Sequence, residues 1–192
     1  MQTNNYVIGS ITIGGAIGFI LIVIYLHIVQ QNYDPVQQLM SELALGRHGS
    51  LMILAFFGFA LSVFTAQIGL HQCQSPIIIR LLLIIAAISL LGAGVFDLGS
   101  ATVLHIALVA VAFFLIVLVM YLLPRNVSAF HTRHRKLISW TLGACTAACV
   151  ALGQNLVPMG IGQRAAALCI LIWLVWIGYS LVRLRGHSHN SP

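Results

Sequence analysis

Six apolar runs, each long enough to cross a bilayer as a helix, occupy almost all of this 192-residue chain. They lie at approximately 7–30, 51–70, 77–98, 101–123, 137–157 and 165–184. A transmembrane helix needs about 20 apolar residues, and the hydrophobicity here is nearly all-round, as expected for helices packed on lipid and on one another. The chain is 60% hydrophobic and only 6% charged, with a mean hydropathy of +1.02. A soluble domain carries roughly 25% charged residues, so a water-soluble fold is excluded. The expected architecture is all-α: a polytopic membrane protein with six transmembrane helices in one domain over 1–192. The start, MQTNN, lacks the basic region of a cleavable signal peptide, so none is expected.

The basic residues set the expected orientation. Arg80, Arg125, Arg133, Arg135, Lys136, Arg183 and Arg185 fall on the side shared by both termini, against Arg47 and Arg164 on the other. The positive-inside rule then places both termini in the cytoplasm. The net charge of +6 reports topology and contact with anionic head groups, not nucleic-acid binding. Membrane lipids are therefore the expected partners. The basic loop AFHTRHRK and the tail GHSHNSP read as head-group anchors on the inner side.

All three acidic residues, Asp34, Glu42 and Asp97, fall at the opposite, outer boundary. His27, His48, His105, Gln154, Asn155, Gln163 and Arg164 join them there. In lipid an ionisable group is costly and persists where it is paired, hydrated or used, so this face is where a site is sought.

The outer segment YDPVQQLMSELALGRHG carries helix punctuation at both ends. Asp34 is placed to cap a helix starting at Pro35, and Gly46 suits the position that closes it. Val36, Leu39, Met40 and Leu43 repeat at helical spacing, with Gln37, Gln38, Ser41 and Glu42 on the other arc. A short amphipathic helix over about 35–45 is predicted in the outer interface. Ser41 and Glu42, with Arg47 and His48 behind them, are candidate site residues.

The third-to-fourth hairpin, GAGVFDLGSATVLH, places Asp97 and His105 at nearly the same depth. Such a pair orients a histidine to act as a general base or metal ligand, or simply clasps two helices. The last outer loop, QNLVPMGIGQR, adds Gln154, Asn155, Gln163 and Arg164, with Pro158 expected to end the fifth helix. Arg164 is expected to pair with Asp97 or Glu42, or to hold a lipid phosphate or carboxylate. Cys145, Cys149 and Cys169 lie in apolar runs and are read as packing residues. The stripe Ser10, Gly14, Gly18 on the first span is a close-packing surface for a helix or a second copy.

The loop YDPVQQLMSELALGRHGSLM, the run GAGVFD followed by His105, and GIGQR opening the last span together resemble a prokaryotic six-span family, domain of unknown function 998. That family is grouped loosely with eukaryotic DRAM-type and Sfk-type membrane proteins. The resemblance covers almost the whole chain. It implies six helices, polar motifs at one face of a bacterial or archaeal cytoplasmic membrane, and no particular reaction. Asp97 stands where that family's pattern leads one to expect proline.

Three functions fit these residues. The first is an outer-leaflet hydrolase or transferase acting on a lipid-like substrate. Asp97, His105, Glu42 and Ser41 would be catalytic, with Arg164, Gln163, Gln154, Asn155 and Arg47 binding substrate. His27, His48 and His105 are the candidate ligands for Zn²⁺ in a metal-dependent version, which resembles the ceramidase-like hydrolases in type but not in spacing. The second is non-enzymatic binding or transport of a lipid or small molecule. The third is a b-type haem held by His27 and His105.

Overall fold

The computed structural model describes residues 5–153 and 156–184. Six α-helices run in chain order: α1 (Asn5–Val29), α2 (Leu51–Gln72), α3 (Ile77–Val95), α4 (Leu98–Asn126), α5 (Arg133–Leu152) and α6 (Met159–Leu184). Short 3₁₀ helices span Met40–Leu45 and Ser128–Phe130, and no strand occurs among the described residues. Five helices, α1 to α4 and α6, are long and apolar enough to cross a membrane. The fifth expected span differs. Its first turn is Arg133-His134-Arg135-Lys136, and it stops at Leu152 rather than running to residue 157.

Pro158 does not end that helix. It stands immediately before α6, with its carbonyl accepting from Gly162 N–H at 3.1 Å. A proline just outside a helix start costs no intrahelical bond, because the first N–H groups have no partner there anyway. Likewise α4 begins at Leu98, earlier than its apolar run suggested, and is interrupted at Ala101 (φ −150°, ψ 58°).

The helices form a closed ring. Each packs on its chain neighbours, α6 returns to α1, and α2 also touches α6 behind α1. The closest crossings use glycine. A Cβ on Gly9 would lie 2.5 Å from the Gly178 carbonyl oxygen, and one on Gly15 would run into that of Gly58. The Ser10, Gly14, Gly18 stripe is displaced from these crossings: Ser10 and Gly14 are exposed, and a Cβ on Gly14 or Gly18 meets nothing within 4 Å. Within the bundle, Gly9 and Gly15 therefore do the packing expected of that stripe.

Polar side chains stitch the interior. Thr12 and Thr65 hydroxyls pair at 2.9 Å, and Ser62 Oγ donates to the Thr12 carbonyl at 2.6 Å. Across the other side, Trp173 Nε1–H donates to Ser139 Oγ at 3.0 Å, and Ser139 donates to the Met120 carbonyl at 2.7 Å, linking α6, α5 and α4. Of the neighbouring pairs in the ring, α4 and α5 touch least, which leaves space between them.

The predicted amphipathic helix over 35–45 is replaced by a capped turn and the 3₁₀ helix. Asp34 does cap, accepting from Val36 N–H at 2.8 Å. An α-helix would then need the carbonyls of Gln38 and Leu39 for its own ladder. Instead Arg164 takes the Gln38 carbonyl at 3.0 Å and Tyr33 O–H donates to that of Leu39 at 2.8 Å. The chain tightens to an i→i+3 bond, Glu42 N–H to Leu39 carbonyl at 3.0 Å. This turns Ser41 from the polar arc into the interior, where it is 2% exposed beside buried Met40 and Leu43. Gly46 is extended (φ −95°, ψ −166°), not left-handed. Its missing Cβ makes room for the Gln30 carboxamide.

Candidate functional site: a loop clasp beside a lateral slot

Arg164 on the second turn of α6 is the centre of the loop face. Its guanidinium donates to the Gln38 carbonyl, to the Gly160 carbonyl at 2.8 Å, to Tyr33 Oη and to His27 Nε2 at 3.3 Å. The His27 tautomer follows from its partners. Nδ1 lies 2.7 Å from the Val23 carbonyl, which can only accept, so Nδ1 carries the proton and Nε2 receives the arginine. Tyr33 packs edge-on against His27, with ring centroids 5.1 Å apart. Burial pushes the Tyr33 phenol up, with the arginine pulling the other way. All these partners are neutral. The expected pairing of Arg164 with Asp97 or Glu42 is not formed: its two outer nitrogens go to loop carbonyls, the phenol and His27 instead.

Glu42 has a local task. Its carboxylate accepts from Leu39 N–H at 2.8 Å and from Gln38 Nε2 at 3.0 Å, tying off the start of the 3₁₀ helix. Gln163 holds the same helix from α6, its Oε1 accepting from Met40 N–H at 2.6 Å. Gln30 Nε2 donates to the carbonyls of Leu43 and Arg47, each at 2.9 Å. A polar bowl of about 540 Å³ opens above, lined by Gln30, Gln31, Asn32, Glu42 and Arg47. His48 stands apart, exposed, at φ 60°, with Nδ1 3.0 Å from Tyr25 Oη. Gln154 and Asn155 lie outside the described residues.

The expected Asp97–His105 hydrogen bond is absent. Asp97 caps α4, accepting from Ser100 N–H at 2.7 Å. That bond holds its carboxyl below the usual carboxylate value of 3.8. A carboxylate with a lowered pKa contributes stability above its ordinary value and loses it as pH falls through the folded one. Thermal unfolding between about pH 6 and about pH 3 is therefore expected to fall more steeply in wild type than in Asp97→Asn.

His105 instead caps α3 across the hairpin. Its Nδ1 is 2.9 Å from both the Ala93 and Phe96 carbonyls, two acceptors left open where α3 ends. Both can only accept, so Nδ1 carries a proton, and in the neutral ring that leaves Nε2 an acceptor. Phe56 packs perpendicular to the ring at 5.5 Å. His105 is 2% exposed, and its Nε2 has no partner.

His105 lines a second cavity, of about 430 Å³, between α4, α5, the start of α6 and the 3₁₀ helix. Its walls are apolar, formed by Ile106, Val109, Phe113, Phe114 and Val150 among others, and its polar members include Ser41, His105 and Gln163. Ser41 Oγ is also buried without a partner. Ile106, Phe114 and Val150 are exposed on the flank of the bundle, so the slot opens sideways. The structure thus gathers Ser41, His105 and Gln163 of the predicted site. Glu42 and Arg47 go to the bowl, Arg164 and His27 to the clasp, and Asp97 to a helix cap. His27, His48 and His105 have separate partners, and no group of three metal-ligating side chains occurs among the described residues. For a haem, His27 would have to release Arg164.

Sequence reasoning missed Tyr33, whose hydroxyl and ring complete the clasp. It also missed the slot walls, because an apolar residue facing lipid and one facing a cavity look alike in sequence.

Comparison with known families matches residues 13–180 to the model described as "Protein of unknown function (DUF998)". Neither the curated proteins nor the solved structures compared contain a match.

Proposed function

The chain belongs to the DUF998 family, and from that premise we propose that it is a membrane protein that binds a lipid-like amphiphile, with the apolar chain in the α4–α5 slot and the head at Ser41, His105 and Gln163. One observation carries this reading. Two buried polar atoms without partners, Ser41 Oγ and His105 Nε2, belong to residues that line one otherwise largely apolar, side-opening slot. Buried polar groups without partners are rare and costly, and a bound head group would supply what they lack. The volume suits a small-molecule site, which commonly spans about 300–1,000 Å³.

In this reading α5 also crosses the membrane, making six spans, and the positive-inside rule puts the slot in the outer leaflet of a bacterial or archaeal cytoplasmic membrane. Binding is favoured over hydrolysis because Ser41 and His105 are not hydrogen-bonded to each other, as a nucleophile and its base would be. The test is mass spectrometry of lipid extracted from purified protein, wild type against Ala110→Trp, which fills the slot from its α4 wall. About one retained chain-bearing molecule per wild-type protein is expected, and its loss from the variant. A mixed lipid population identical in the two proteins would sink the proposal.

A further inference from the structure

The polar end of the slot has a composition that selects among head groups. None of the described side chains that line it is an arginine, lysine, aspartate or glutamate. The nearest cation in sequence, Arg164, has its outer nitrogens donating to Gln38, Gly160, Tyr33 and His27. Glu42, next to Ser41 in sequence, lines the polar bowl and is bonded to Leu39 and Gln38. What remains is His105 Nε2, an acceptor in the neutral ring, the Ser41 hydroxyl, which can donate or accept, and the Gln163 carboxamide, whose Oε1 is taken by Met40 N–H and whose Nε2 can donate.

We propose that the slot takes an uncharged lipid bearing a free hydroxyl, such as a monoacylglycerol or a long-chain alcohol, and discriminates against the carboxylate or phosphate of an anionic lipid. The inference rests on the reading of the slot as an acyl-chain site. A ligand hydroxyl donates its proton to His105 Nε2 and accepts from Ser41, so one group satisfies both orphaned atoms. An anionic oxygen cannot do this. It has no proton for Nε2, meets that lone pair head-on, and finds no cation on the slot walls to offset its desolvation. The two carbonyls that hold Nδ1 keep the ring from presenting the opposite tautomer.

The experiment uses the full chain in nanodiscs of zwitterionic lipid and three probes with the same diazirine-bearing acyl chain. One ends as a monoacylglycerol, one as a free carboxylate and one as a phosphatidate. Photolabelled peptides are mapped by mass spectrometry at subsaturating probe. The monoacylglycerol is expected to label α4 and α5 at least tenfold more than either anionic probe.

Two substitutions remove one polar partner each. Ser41→Ala deletes the hydroxyl. His105→Asn retains an N–H for the Ala93 and Phe96 carbonyls and deletes the Nε2 acceptor. Each is expected to lower monoacylglycerol labelling roughly tenfold, the size of one good hydrogen bond. Ser41→Ala is the safer variant for folding, because its hydroxyl has no partner to lose. It is expected to unfold at the wild-type temperature, so lost labelling reports the head group and not the fold.

Equal labelling by all three probes, unchanged in Ser41→Ala, would overturn the hydroxyl preference while leaving the acyl-chain slot standing. Absence of slot labelling by any probe would overturn both.

Discussion

Replacing Arg164 with methionine is expected to lower the stability of the protein by about 3 kcal/mol, the loss of charge-assisted hydrogen bonds to several part-buried neutral acceptors. The guanidinium bonds to the Gln38 carbonyl, the Gly160 carbonyl, Tyr33 Oη and His27 Nε2. Methionine approximates the volume and supplies none of the donors. The Gln38 carbonyl and Tyr33 Oη lose their charged donor together, and a hydrogen bond to a charged group is worth about 1.5–3 kcal/mol. Arg164→Lys is expected to recover less than half of the loss, since one ammonium cannot fork to acceptors on both sides. Thermal unfolding in detergent measures the effect. Limited proteolysis locates it, because cleavage should appear between residues 31 and 49 in the variant before the helices are cut. A variant whose unfolding temperature and cleavage pattern match wild type would refute the clasp. Gly160 supports the same contact: a Cβ there would lie 2.5–2.6 Å from the carbonyl oxygens of Gln38, Pro35 and Val36.

The second large effect is a change of sign between adjacent residues. Gly14→Ala is expected to be neutral or to stabilise by up to about 1 kcal/mol, the usual helix preference for alanine over glycine, because nothing lies within 4 Å of the added carbon. Gly15→Ala is expected to destabilise by about 2–3 kcal/mol, as overpacking a close interface does. Its methyl group would run into the Gly58 carbonyl oxygen and lie 3.1 Å from Ser62 Cβ. Backbone has little room to yield, so α1 must move off α2. That displacement would also strain the Ser62–Thr12 and Thr12–Thr65 hydrogen bonds. Parallel unfolding of the two single mutants is the measurement, and equal shifts would refute the crossing.

The contrast shows what sequence could and could not reveal. The small residues of α1 are visible in sequence, and helical spacing picks out Ser10, Gly14 and Gly18, but the packed bundle uses Gly9 against α6 and Gly15 against α2, on different faces of the helix. Helix positions followed from hydrophobic length, while the ends shifted where a terminus needed a partner. Asp97 and His105 do lie in the same hairpin. Yet each serves the end of a helix, where open N–H and C=O groups bind them more closely than they bind each other. Ser41 was placed on a polar face by assuming α-helical periodicity. Competition for two loop carbonyls tightened the turn and rotated it inward. No reading of its neighbours in sequence contains Tyr33 and Arg164, bonded to each other, acting together on that turn.

For the amphiphile proposed above, the side opening of the slot changes the units in which affinity is expressed. A ligand that enters past Ile106, Phe114 and Val150 arrives from the hydrocarbon, not from water. Each added methylene favours the bilayer by about 0.8 kcal/mol before any protein is met. An aqueous titration with longer and longer chains would therefore report tighter apparent binding even if the slot gained nothing. Occupancy is governed by mole fraction among the surrounding lipids. The slot would fill or empty as the composition of the membrane changes, without any change in what is dissolved outside it.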